Sequence, residues 1–176
     1  MRYRLPQLED RELLIDYVKE HYSNYERSIS ASNGLTAMDF PIWVDKINRN
    51  SEIADDEWGK YLLYLAFNDE NKMVGLLNIR YNLSKRLREL YGDIGYSVRP
   101  SERRKGYATQ MLEYAKNICK EKKMDSIILG CYGDNLGSKK AILKNGGVLI
   151  KREKEEKIIS DYWKIDLEIQ YYKIEL

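Results

Sequence analysis

Residues 97–115, SVRPSERRKGYATQMLEYA, join the end of a strand-like run to an amphipathic helix through three consecutive cations and a glycine. A helix start carries a partial positive charge and N–H groups without intrahelical partners, so Arg103, Arg104 and Lys105 stand where acids are favoured. An anion held on those N–H groups would resolve the conflict, because dipole and side chains would then act together and Gly106 would let the backbone approach. The same charges also fit a solvated basic loop that happens to precede a helix. The spacing does not match GxxxxGK followed by Ser or Thr, so an ordinary P-loop nucleotide site is a poor fit.

The flanking periodicities define the fold class. Residues 2–5 read as a short strand and residues 9–22 as a helix, with Leu13, Leu14, Tyr17 and Val18 at helical spacing. A polar loop over 28–39 precedes a second helix that starts near Pro41. YLLYLAF (61–67) and MVGLLNIRY (73–81), joined by NDENK, are a hairpin, and LYGDIGYSV (90–98) is a third strand ended by Pro100. Beyond Gly106, Ala108, Met111, Leu112, Ala115, Ile118 and Cys119 form one helical stripe running to about residue 123. SIILGC (126–131) has the continuous apolar character of a buried parallel strand. A helix then runs from Asn135 to a C-cap at Asn145, Gly146 and Gly147. VLIKR (148–152) is a strand, KREKEEK a solvated turn or helix end, and the alternation of Trp163, Ile165, Leu167, Ile169 and Tyr171 makes a final half-buried strand. The order predicts one α/β domain over residues 1–176, with a mixed sheet whose parallel portion lies in the middle. Final strands of this kind often pair between chains, so a homodimer is an expectation.

Charge and composition narrow the function. No apolar run approaches the roughly 18 to 20 residues of a membrane span. The start MRYRLPQLEDRE lacks a signal-peptide core, and a cytoplasmic location with no membrane partner is expected. The two cysteines, Cys119 and Cys131, suit a reducing compartment. The one histidine, His21, rules out a His-containing zinc cluster, so no metal is expected, and it reads as a partly exposed surface residue. Residues 8–70 hold 14 acids and 6 bases, net −8, whereas residues 84–124 hold 5 acids and 11 bases, net +6. The acidic first part argues against an extended nucleic-acid face.

VRPSERRKGYATQML resembles the acetyl-CoA-binding motif of the GCN5-related N-acetyltransferase (GNAT) superfamily, with Arg103, Gly106 and Ala108 at the motif positions. DNLGSKKAILKNGG is similar to the same family's helix start, Asn-x-x-Ser/Ala, through Asn135 and Ser138. Together they look most like a bacterial group of predicted acetyltransferases. The resemblance implies the acyl-CoA N-acyltransferase fold, in which a mixed sheet has two parallel strands that splay apart between flanking helices. It implies acetyl-CoA as the acyl-donor cosubstrate. The pyrophosphate would lie on the backbone of residues 104–109, including Tyr107 and Ala108, with help from the Thr109 hydroxyl and the cations Arg103, Arg104 and Lys105. The strand ending at Ser97, Val98 and Arg99 would pair with the pantetheine arm, and an N–H near Val98 would polarise the thioester carbonyl. Asn135 and Ser138 would contact the arm, although Asn135 also reads as a plain N-cap.

Many relatives place a tyrosine acid seven residues after the motif asparagine, where this chain has Ile142. The base position falls on Gly92, with Asp93 beside it as the candidate base or a simple strand-end acid. Asn135 and Tyr132 complete the candidate catalytic set, while Tyr96 shares a face with Ile94 and Val98 and reads as core. The resemblance makes the first helices and their loop the acceptor side, where net −8 would attract a cationic amine. Trp43, Trp58 and Arg80 could line that side or lie in the core. The expected function is direct acetyl transfer to a primary amine of a small molecule or peptide; a noncatalytic acyl-CoA-binding module is the alternative.

Overall fold

Apolar runs build the first sheet of the computed structural model, which describes residues 1–26, 28–53, 59–160 and 163–176, and side chains outside 155–166. Strands β1 (Arg2–Arg4), β2 (Lys60–Phe67), β3 (Met73–Tyr81) and β4 (Ile94–Val98) lie in that order, each antiparallel to its neighbour. β3 is buried along nearly its whole length because helices cover both faces of the sheet. Leu77 and Ile79 belong to the core shared with α4 (Tyr107–Glu121) and α5 (Leu136–Lys144), whereas Met73 and Leu76 join the core of α1 (Arg11–Ser23) and α2 (Phe40–Glu52). The α4 stripe lands as its spacing predicts: Met111, Leu112, Ala115 and Cys119 are fully buried, and burial of Met111 or Leu112 contributes about 1.5–3 kcal/mol.

A second sheet, in the order β5 (Ser126–Tyr132), β7 (Trp163–Glu175), β6 (Val148–Ser160), is also antiparallel throughout. The expected parallel pairing of β4 with β5 is therefore not a ladder among the described residues. Within the chain the final strand sits between two others, with a neighbour at each edge. KREKEEK is not a turn: β6 runs through it, because main-chain pairing with β7 continues from Val148↔Lys173 to Ser160↔Trp163. Trp163 and Ile165, part of the predicted alternation, have side chains outside the described set, as does Trp58 altogether.

Two further expectations change. The strand predicted over 90–98 starts at Ile94, because its first residues end a short helix, α3 (Lys85–Tyr91). Ser84 Oγ accepts the Leu87 N–H at its start, and Gly92, at φ +67°, closes it with its N–H on Arg88 O. His21 is not a surface residue but 1% exposed, tilted against Tyr17 with 4.6 Å between ring centroids and bonded through Nδ1 to Glu26 Oε2 at 2.8 Å. No described helix is long and apolar enough to cross a membrane.

Candidate functional site

The start of α4 is built without a cap. Gly106 holds the N-cap position in the left-handed region at φ +84°, no side chain accepts from the first turn, and that turn carries no acid. The first bond into the helix runs from the Gln110 N–H to Gly106 O at 3.2 Å. The N–H groups of Tyr107, Ala108 and Thr109 therefore lack helical acceptors. A Cβ built on Gly106 would meet nothing nearer than Gln110 Nε2 at 4.0 Å, so the loop faces open space. Backbone donors, helix dipole and room for a bulky anion coincide there, and this fits a pyrophosphate.

The three cations do not all face that space. Arg103 pairs with Glu26, Nη2 to Oε2 at 2.6 Å, and its Nε donates to Val98 O at 3.1 Å. Lys105 Nζ donates to Glu102 at 2.9 Å, and Lys72 bonds the same buried carboxylate at 2.7 Å. Arg104, at φ +62°, makes no ion pair among the described residues. Arg103 and Lys105 are thus struts of the loop, since acids brought in by the fold neutralise them before any ligand arrives.

The Arg103 guanidinium, with lesser help from His21 and Asn24, pulls the Glu26 carboxyl down to about 2. A depressed folded value means stability that is complete above the ordinary glutamate range and lost as pH falls through it. The difference in urea midpoint between wild type and Glu26→Gln is expected to be present at pH 5, below the ordinary titration range of a histidine such as the bonded His21. It should shrink as pH falls from about 4.5 towards about 2; an unchanged difference at pH 3 would show that the pair contributes nothing.

From the loop, β4 leads to a cleft. The Arg80 N–H donates to Asp93 O at 2.7 Å and the Arg99 N–H to Val74 O at 2.8 Å, one at each end of the β3–β4 ladder. By antiparallel alternation Gly95 and Ser97 also turn their main-chain groups to β3, and Tyr96 and Val98 turn theirs away. On β5, bonds from Leu176 to Asp125 and from Gly133 to Glu168 bracket the ladder with β7, which leaves Ile128, Gly130 and Tyr132 facing β4. The two strands join where the Asp93 N–H donates to Ile128 O at 2.6 Å and Asp93 Oδ2 accepts the Ile128 N–H at 2.7 Å. Beyond that junction lies a cavity of about 370 Å³, walled by residues that include Tyr96, Gly130, Cys131 and Tyr132.

At its head the Tyr96 hydroxyl lies 2.8 Å from Ser138 Oγ. Asn135 caps α5 by accepting the Ser138 N–H at 3.0 Å. Burial pushes the Tyr96 hydroxyl up to about 12, against the pull of Ser138, and raises the Cys131 thiol. Tyr132 is 47% exposed at the mouth. Ile142 is fully buried in the α4–α5 core.

Asp93 does not line this cavity. It is 1% exposed, and both carboxylate oxygens take the Arg88 Nε, at 3.0 and 2.9 Å. Burial raises its pKa against the pull of the Ile128 N–H and Arg88. Ser97 and Arg99 also serve the frame through their side chains. Ser97 Oγ accepts from Tyr17 and donates to Ser30 O, while Arg99 binds Asp16, Glu20 and Met73 O. Trp43 is buried with its Nε1 on Ser32 O. Arg80 does reach the cavity. Alternation identifies the face of Tyr96 correctly but not that this face borders a gap rather than solid core.

The mixed α/β frame, an uncapped helix start that faces open space and a cleft between two sheets fit the acyl-CoA type of transferase. A family model described as an acetyltransferase (GNAT) domain matches residues 1–148, so the chain belongs to the GNAT acetyltransferases and is an acetyl-CoA-dependent N-acetyltransferase. Its fold is similar to that of a GNAT-family acetyltransferase from Streptococcus pneumoniae (18% identity, TM-score 0.70, 98% of this chain and 99% of that one covered). It is also similar to ribosomal-protein-alanine N-acetyltransferase from Brucella melitensis (15% identity, TM-score 0.69, 100% of both chains). A Salmonella typhimurium protein described as an acetyltransferase and solved with its cofactor acetyl-CoA has 11% identity and TM-score 0.67 over 99% of this chain and 93% of that one. No curated protein matches the sequence.

Proposed function

We propose that residues 1–176 act as one catalytic domain that transfers acetyl from acetyl-CoA directly to a primary amine of a small molecule or peptide. The observation that carries this reading is the continuity of donors: the uncapped N–H groups of α4 lead into the ladder-free main chain of Tyr96 and Val98 facing Gly130 and Tyr132. The N–H groups of Tyr107, Ala108 and Thr109, with Arg104, would hold the pyrophosphate. The pantetheine arm would lie along β4, with the Val98 N–H polarising the thioester carbonyl.

The amine nitrogen then bonds to the carbonyl carbon as the carbon–sulfur bond breaks, and the nitrogen loses one proton. Tyr96, hydrogen-bonded to Ser138, supplies a proton to the departing thiolate in place of the tyrosine that Ile142 displaces. Asn135 holds Ser138 in position by capping α5. Among the described residues no carboxylate lines the cavity, so the amine's proton leaves to solvent.

Thiol release from acetyl-CoA over a panel of amines tests this. Tyr96→Phe is expected to lower kcat by about 10- to 100-fold with CoA affinity unchanged, the low end of general acid effects because a thiolate leaves readily. An unchanged kcat would remove Tyr96 from the chemistry. CoA binding with no thiol release on any amine would instead leave a noncatalytic acyl-CoA-binding module.

A further inference from the structure

One end of the cavity carries a cation. Arg80 sits on β3 and lines the cavity on the side of Ser30, Ala31 and Gly95, with Nη2 3.8 Å from where a Gly95 Cβ would stand. Its Nε donates to Gly92 O at 3.0 Å and its Nη2 to Tyr91 O at 2.8 Å. These bonds cap the end of α3 and use two of the five N–H donors of a guanidinium. Both acceptors are neutral carbonyls, and Arg80 makes no ion pair among the described residues. Asp93, the carboxylate in electrostatic reach, is committed to Arg88 and Ile128. Burial accordingly lowers the Arg80 pKa. Two residues back on the same face of β3, Asn78 is fully buried, and neither of its amide atoms has a hydrogen-bond partner among the described residues.

Four of the acids behind the expected attraction for a cationic acceptor are engaged by arginines of the frame. Asp10 pairs with Arg4, Asp16 and Glu20 with Arg99, and Glu26 with Arg103. The described wall of the cavity itself offers one cation without an ion pair, Arg80, and no carboxylate.

We infer that the acceptor is an amino carboxylate, whose amine faces Tyr96 and whose carboxylate is bound by Arg80. This rests on the acetyl-transfer reading above and adds the substrate class. The acceptor enters as a zwitterion whose ammonium gives one proton to solvent before the nitrogen attacks, and the guanidinium fork suits a carboxylate in two-point contact. A diamine would set a second ammonium against Arg80 and be rejected by like charge.

Two measurements on the full chain test it. The first is thiol release with free amino acids, the matching amino-acid amides, and diamines. The second is calorimetric binding of the same compounds to the CoA-loaded protein. Amino acids are expected to exceed their amides in kcat/KM and in affinity by roughly ten- to hundred-fold, as a charged hydrogen-bond pair would give. Arg80→Gln should erase that preference by raising KM for the amino acids alone, and Arg80→Lys should restore part of it. Unchanged CoA affinity in both variants would show that the fold persists. Equal use of acids and amides, or preference for diamines, would overturn the inference while leaving acetyl transfer standing. Selective binding of amino carboxylates without any thiol release would uphold the ligand class and sink the transfer reading.

Discussion

Gly106→Asp is expected to weaken CoA binding by at least 100-fold while the protein stays folded. Two costs are separable. An L-residue at φ +84° in place of glycine costs about 1 kcal/mol, which lowers Tm by roughly 2–4 °C in a chain of this size. The binding cost is of another kind, because the carboxylate would stand among the N–H groups that should meet the pyrophosphate and would repel it. Free space around Gly106 means that no packing is lost with the new side chain. Gly106→Asn separates the two terms: it has the same backbone strain and nearly the same bulk but no charge, and should keep affinity within about ten-fold of wild type. Calorimetric titration with CoA reads both variants. Wild-type affinity in Gly106→Asp would return the loop to the status of a solvated basic turn.

Asp93→Ala is expected to lower stability by about 3 kcal/mol, roughly 10 °C in Tm, and to reduce turnover only as far as the cleft distorts. Its carboxylate is the acceptor for both the Ile128 N–H and Arg88 Nε, and this junction is where β4 and β5 meet before the gap opens. Burying the pair is itself costly, as the raised Asp93 pKa indicates, but removing one member leaves Arg88 and a main-chain N–H unmet, which is worse. Asp93→Asn should be destabilising as well, since its amide cannot satisfy both donors. Thermal melts and kcat separate the two roles. A general base would cost orders of magnitude in kcat with Tm intact, and that result would overturn the structural assignment.

Most elements follow from local pattern. The hairpin of β2 and β3, the α4 stripe and the Asn135 cap each depend on spacing within a dozen residues, so the sequence alone identifies them. Helix α3 is missed because Leu90 and Tyr91 suit a strand as well as a helix end, and the deciding contacts are Ser84 and Gly92 at its termini. The charge run over 151–157 looks solvated and is a strand because β7 pairs with it.

The candidate site divides along the same line. Sequence by itself determined that a strand, a glycine loop with uncapped N–H groups and an amphipathic helix follow one another, because backbone geometry at Gly106 and helical periodicity are local. Tertiary structure decided which charges remain available. Glu26 meets Arg103 across 77 positions of sequence and neutralises it. It also decided that Tyr96 meets Ser138 42 positions away, that Asp93 pins the β4–β5 junction outside the cavity, and that Arg80 lines the cavity without an ion pair among the described residues. An ion pair or a shared hydrogen bond depends on distance in space, and a linear pattern of residue types carries no record of which distant acid the fold will bring to which cation.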